Sequence, residues 1–267
     1  MEPRRVFGLD FSGAADAGRR SWLAAGVATG GRVSVAKVFP VSALPGSGPR
    51  PEEAFAALCA FIASLGEAAV GCDFSFGLPA GLVAEAEWRA FALGFSSRHP
   101  TPEAMREACR TASPGRELRR QTDREARSPF SPLNLRAYRQ TWHGIASVLA
   151  PLLAAGAATA FPMEAPRAGV PVLVEACPAS TLKRLGLSRP YKGRGAAYRE
   201  ARARILSALE AAGLLGFSSE APREAALSQP GGDALDAALC ALGAARAACE
   251  PWSPPQAPYS VEGRIFF

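Results

Sequence analysis

Val6-Phe7-Gly8-Leu9-Asp10-Phe11-Ser12 is the first apolar run of the chain, and the two runs that follow it, Ser21–Ala28 and Arg32–Phe39, decide how it is read. Val6 to Asp10 has the length and content of a short buried strand. The next two runs are strands separated only by Thr29-Gly30-Gly31, a turn whose glycines suit a tight hairpin. Pro40 to Pro51 is rich in Pro, Gly and Ser and reads as a loop. Beyond it Phe55, Leu58, Ile62 and Leu65 fall at helical spacing, with acids at the start and Gly66 to close. Ala68–Asp73 is then a fourth strand. The opening order is therefore β-β-β-α-β.

The remainder extends that pattern. From Gly81 to about Ser131 the sequence is irregular, polar and arginine-rich, and it reads as an insertion (81–131) carrying short helices within a single domain spanning 1–267. Leu135–Ala155 is a helix, Pro171–Cys177 a fifth strand, Ala197–Ala212 a helix ended by Gly213, and Ala234–Ala248 the last helix. The tail, with Pro251, Pro254, Pro255 and Pro258, reads as a surface loop. The fold class is thus α/β, a mixed five-stranded sheet flanked by helices. A Rossmann arrangement fits less well, because it wants a helix and a glycine fingerprint directly after the first strand.

At 48% hydrophobic and 20% charged the chain has an ordinary globular composition, and no run approaches the roughly 18 apolar residues that span a bilayer. No membrane association is expected. Only four residues separate Arg5 from Asp10, too few for the apolar part of a signal peptide, so a cytoplasmic location is expected. The six cysteines form no CxxC pair and read as reduced core thiols, and with only two histidines a zinc site is disfavoured.

Five acids carry the chemistry. Gly8-Leu9-Asp10-Phe11-Ser12 recurs as Gly71-Cys72-Asp73-Phe74-Ser75, each copy placing an aspartate at the C-terminal end of a strand, where open α/β sheets put their ligands. Parallel neighbours lie about 4.8 Å apart, so both carboxylates can reach one small site. Either aspartate alone could simply cap a turn. Asp233 and Asp236, at the start of the last helix, share a face and sit among Ala and Leu; the plainer reading is a favourable charge at a helix N-terminus. Glu175 lies inside the apolar run Val172-Leu173-Val174, where an acid needs a metal or an arginine partner. Together Asp10, Asp73, Glu175, Asp233 and Asp236 are candidate catalytic residues. Asp10, Asp73, Asp233 and Asp236 are candidate ligands for Mg²⁺ or Mn²⁺, ions that favour oxygen donors.

The formal net charge is +6, and two segments more than account for it. Arg98 to Arg139 holds ten arginines against five acids, and Lys183 to Arg204 holds eight basic residues against one acid. Both could grip a phosphate backbone, with Arg124, Lys183, Arg184, Lys192 and Arg194 as substrate-binding candidates beside Ser12 and Ser75. A solvated helical face with internal ion pairs is the competing account, and it suits the first segment better than the second.

The chain resembles a family of predicted ribonuclease-H-like nucleases, a bacterial and archaeal domain family of unknown function. The resemblance rests on GLDFSGA (8–14), CDFSFGLP (72–79), VEACPAS (174–180), DALDAA (233–238) and EGRIF (262–266), which span nearly the whole chain. An acid after strand one, an acid after strand four and a DxxD opening the last helix are distantly similar to Holliday-junction resolvases. That branch often has glutamate where Asp73 stands. The resemblance implies a ribonuclease-H-like fold and metal roles for Asp10, Asp73, Asp233 and Asp236. The expected function is a metal-dependent nuclease using a two-metal carboxylate site on DNA or RNA. Two other readings stay open. One is a nucleotide-dependent phosphotransferase or ATPase of the actin and sugar-kinase type, with Asp10-Phe11-Ser12-Gly13 as a phosphate turn. The other is a non-catalytic adaptor that binds nucleic acid or protein through its basic surface.

Overall fold

The computed structural model describes residues 4–267. Its eight strands are β1 (Arg4–Asp10), β2 (Trp22–Thr29), β3 (Arg32–Pro40), β4 (Ala69–Cys72), β5 (Thr159–Phe161), β6 (Val172–Ala176), β7 (Leu215–Phe217) and β8 (Ile265–Phe266). They form one sheet in the order β5-β6-β4-β1-β2-β3-β7, with β8 also paired to β6. β2 is antiparallel to both its neighbours and every other pairing is parallel. The β2–β3 turn has positive φ at Gly30 and Gly31, as a type I′ hairpin requires.

The helices are α1 (Ala17–Arg20), α2 (Pro51–Ala63), α3 (Trp88–Arg98), α4 (Pro102–Ala112), α5 (Gln121–Glu125), α6 (Tyr138–His143), α7 (Ala150–Ala154), α8 (Pro178–Arg184), α9 (Ala196–Ala211), α10 (Glu220–Ser228), α11 (Asp233–Ala247) and α12 (Tyr259–Glu262). Strand alternation sorts the core into two layers. Phe7 and Leu9 face one way, toward Phe55 and Leu58 of α2, Phe91 of α3 and Leu152 of α7. Val6, Val33 and Val174 face the other way, toward Ile205 of α9, Leu227 of α10 and the apolar length of α11. Among the described residues no helix is long and apolar enough to cross a membrane.

Three expectations need correction. The sheet has eight strands rather than five, because β5, β7 and β8 are two or three residues long and carry no readable alternation. The tail is not only surface loop: α12 leads into β8, which extends the sheet beside β6. Within the segment 81–131, Trp88, Phe91, Phe95 and Met105 are buried in the first core layer. The helix expected over 135–155 begins at Tyr138, after a turn closed by the Asn134 carbonyl, and includes a π-helical stretch at Gly144–Leu149. There the Phe74 ring approaches Gly144 to within 2.3 Å of where a Cβ would stand, so only glycine fits.

α11 lies unusually close to the sheet. A Cβ on Gly8 would stand 1.9 Å from the Ala237 carbonyl oxygen, and one on Gly71 would stand 2.0 Å from that of Cys240. Gly8 and Gly71 are register partners on β1 and β4. The two glycines thus form one seat for the helix, and that seat fixes where its first turn comes to rest.

Candidate active site

Asp10 and Asp73 follow those glycines by two residues, so alternation turns them to the α11 side as well. Pairing runs one residue past β4, with the Asp73 amide donating to the Leu9 carbonyl at 2.9 Å, and this sets the two aspartates side by side. Their side chains are within hydrogen-bonding reach of each other. The repeated Gly-x-Asp therefore has a division of labour: glycine admits the helix and aspartate meets its N-terminus.

The helix brings Asp233 and Asp236. Gly232, in the left-handed region at φ 80°, turns the chain into α11. Gln229 holds Asp233 twice, donating from Nε2 to Oδ2 at 2.9 Å and accepting from the Asp233 amide at 2.9 Å. Asp236 is 1% exposed. The Tyr191 hydroxyl donates to its Oδ1 at 2.6 Å, and the Lys192 ammonium stands 2.5 Å from its Oδ2.

Burial and mutual repulsion dominate the electrostatics. Burial first, and then the Asp236 carboxylate, push Asp10 well above the usual carboxylate range and Asp73 up to about 7. Burial raises Asp233 too, with Lys192 working against the shift. Asp236 pulls Lys192 upward, so the ammonium stays charged. These acids line a cavity of about 420 Å³ with Ser12, Ser75, Arg20, Arg136 and Gln140.

Glu175 lines the same cavity but belongs to a different arrangement. Alternation on β6 turns it away from α11, where Arg120 meets both of its oxygens, at 2.8 Å and 2.5 Å. The Phe76 amide donates to Oε2 at 3.0 Å. Arg120 also binds Asp123 at 2.7 Å and the Glu262 carbonyl at 2.9 Å, and it is 1% exposed. Burial raises Glu175 while Arg120 opposes the shift.

Of the substrate-binding candidates, Ser12, Ser75 and Lys192 line the cavity. Arg124, Lys183, Arg184 and Arg194 are exposed and do not; Lys183 donates to the Arg127 carbonyl and Arg184 to that of Phe267. Arg20 was not singled out in the sequence, and neither was Gln140, whose amide donates to the carbonyls of Phe11 (2.9 Å) and Asp73. Gln140 ties together the two loops that follow the paired aspartates. One glutamine on a helix carries no signal that would have found it.

As a donor set the cluster suits a hard divalent cation, being made of carboxylate oxygens with only one neighbouring ammonium. Among the described residues, however, no group of three or more His, Cys, Asp or Glu side chains is gathered into a ready-made metal-ligand set. Asp236 and Asp233 are instead held by Tyr191, Lys192 and Gln229.

Fold and site together define an α/β protein with buried acids at the C-terminal edge of a mixed sheet. The chain belongs to the family described as "Protein of unknown function (DUF429)", whose profile matches residues 8–259 and so takes in all five candidate acids. No curated protein and no solved structure gives a significant match.

Proposed function

We propose that the chain is a metal-dependent nuclease of ribonuclease-H-like architecture, cleaving phosphodiester bonds at the aspartate cluster. The observation that carries the reading is the set Asp10, Asp73, Asp233 and Asp236, supplied by two neighbouring strand ends and one helix N-terminus, with a single lysine beside them. Buried carboxylates in excess of their counterions favour a cation. The architecture supports the same reading. Three strands in a meander precede a crossover helix to β4, β2 is the one reversed strand, and the acids sit where the parallel strands end.

Asp10 and Asp73 would hold a Mg²⁺ or Mn²⁺ ion, with the acids of α11 beside it. When bound, such an ion supplies Lewis-acid stabilisation of a phosphoryl oxygen and lowers the pKa of a coordinated water. The chain's own residues do the rest. Gln140 fixes the loops that present Asp10 and Asp73. Arg20 and Arg136, at the cavity wall, hold substrate phosphates. Ser12 and Ser75 offer hydroxyls to the same groups. In the reaction a water oxygen bonds to phosphorus and the bond to one ester oxygen breaks. That oxygen takes up a proton, leaving a phosphomonoester and an alcohol. Glu175, held by Arg120, positions the β6 wall rather than touching substrate. A nucleic-acid strand is the substrate class that the surrounding arginines suit.

A thermal-shift titration tests the reading. Millimolar Mn²⁺ should raise the melting temperature of the wild type by mass action, and Asp10→Asn should abolish the rise. No rise in the wild type at millimolar Mn²⁺ or Mg²⁺, or an equal rise in both proteins, would count against the metal site.

A further inference from the structure

We propose that Lys192 is a built-in cation of the aspartate cluster, occupying a position that a second metal ion would otherwise take, so that the site binds one divalent ion per chain. The inference rests on the metal-site reading above and goes beyond it.

The loop between α8 and α9 is constructed to deliver this side chain. Arg202 of α9, 2% exposed, donates to the Tyr191 carbonyl at 2.6 Å, the Gly193 carbonyl at 3.3 Å and the Leu227 carbonyl at 2.7 Å. The backbone is thereby fixed on both sides of Lys192. Gly193 donates from its amide to the Pro230 carbonyl at 2.7 Å, tying the loop to the turn that starts α11. Gly232 in that turn leaves room for the loop, since a Cβ there would come within 2.9 Å of the Tyr191 ring and 3.1 Å of Lys192 Cγ. A solvated lysine needs none of this.

The consequence falls on Asp236. Tyr191 takes a lone pair on one of its oxygens and Lys192 a lone pair on the other, at 2.6 Å and 2.5 Å, so a metal at Asp236 would share each oxygen with a donor and stand against the ammonium. Gln229 likewise engages Asp233. Asp10 and Asp73 are left facing each other without a side-chain donor from elsewhere. One or two carboxylates, waters and substrate phosphate are the usual surroundings of Mg²⁺. A lysine ammonium is a compact charge suited to the remaining position, where it can face a phosphoryl oxygen.

Calorimetric titration of the full chain with Mn²⁺ tests this by counting ions. The expected result is one ion on wild type, one on Lys192→Arg, and two on Lys192→Met, in which Asp236 is released. Two ions on wild type would overturn the proposal and leave the metal-site reading standing, as would a single ion on both wild type and Lys192→Met. No ion on any of the three would overturn both. Lys192→Gln provides a second test that does not depend on Lys192→Met folding. It removes the ammonium but keeps a polar side chain, and it should bind two ions as Lys192→Met does. A single ion on that folded variant would overturn the proposal.

Discussion

Two groups of buried and half-buried acids flank the same sheet, and they are neutralised differently. On one face Glu175 and Asp123 share Arg120, a planar cation that is itself 1% exposed and hydrogen-bonded at every arm to a carboxylate or carbonyl. On the other face four aspartates share Lys192, whose side chain is 52% exposed and which directly contacts Asp236 alone. The first group is closed and satisfied, which is how buried charge is made structurally tolerable. The second is open to a cavity and short of positive charge. Burial of an acid therefore says little about its role here; the completeness of its counter-charge separates a strut from a site.

The largest expected effect lies in the closed group. Arg120→Met would strand Glu175 and Asp123 without their cation and should destabilise the fold by about 3–5 kcal/mol, read as a fall in urea midpoint. Lys192→Met should cost less, because the lysine is itself half-exposed and the Tyr191 hydroxyl still donates to Asp236. Equal losses in the two variants would erase the distinction between the groups.

Next comes the seat of α11. Gly8→Ala and Gly71→Ala each drive a methyl group into helix backbone, at 1.9 Å and 2.0 Å, and neither contact can be relieved by a side-chain rotation. Each should cost at least about 1–3 kcal/mol, the range for overpacking. Because the helix must lift, Mn²⁺ stabilisation should weaken as well, although no candidate ligand has been changed. Gly30→Ala, in the open hairpin turn at φ 61°, should lose stability without that loss of metal response.

These glycines show how far the sequence could be read. The echo of Gly8–Ser12 in Gly71–Ser75 was legible because it repeats, and it led to the two aspartates on adjacent parallel strands. The meaning of its glycines was not legible, since it depends on a helix more than 150 residues further along the chain. Glu175 could be recognised as an acid in need of a partner. That the partner is Arg120, 55 residues away and one of 27 arginines, is set by tertiary packing alone. Lys192 read as one of eight basic residues in a charged segment, yet the fold selects it from that group and seats it at Asp236. β5, β7 and β8 escaped because strands of two or three residues have no period.

The subtlest test uses protons. In the metal-free protein Asp10 and Asp73 titrate above their unfolded values, Asp73 at about 7 against roughly 4 for a free aspartate. Between those two values folded Asp73 holds more protons than unfolded Asp73, so its contribution to stability falls as pH rises and is lost above about 7; Asp10 acts in the same direction. Each excess proton contributes a slope of at most about 1.4 kcal/mol per pH unit. Asp10→Asn removes the buried titrating group on which burial, Asp236 and Asp73 all press. The variant should therefore be the more stable protein at pH 8 without metal, and its stability should depend less on pH across this window. Saturating Mn²⁺ should reverse the wild-type slope, because protons then compete with the ion for the same oxygens. Urea denaturation of both proteins from pH 4.5 to 8, with and without Mn²⁺, measures all three. Identical pH profiles for wild type and Asp10→Asn would mean that the aspartate cluster is as fully compensated as the Arg120 group, and the contrast between the two faces of the sheet would be lost.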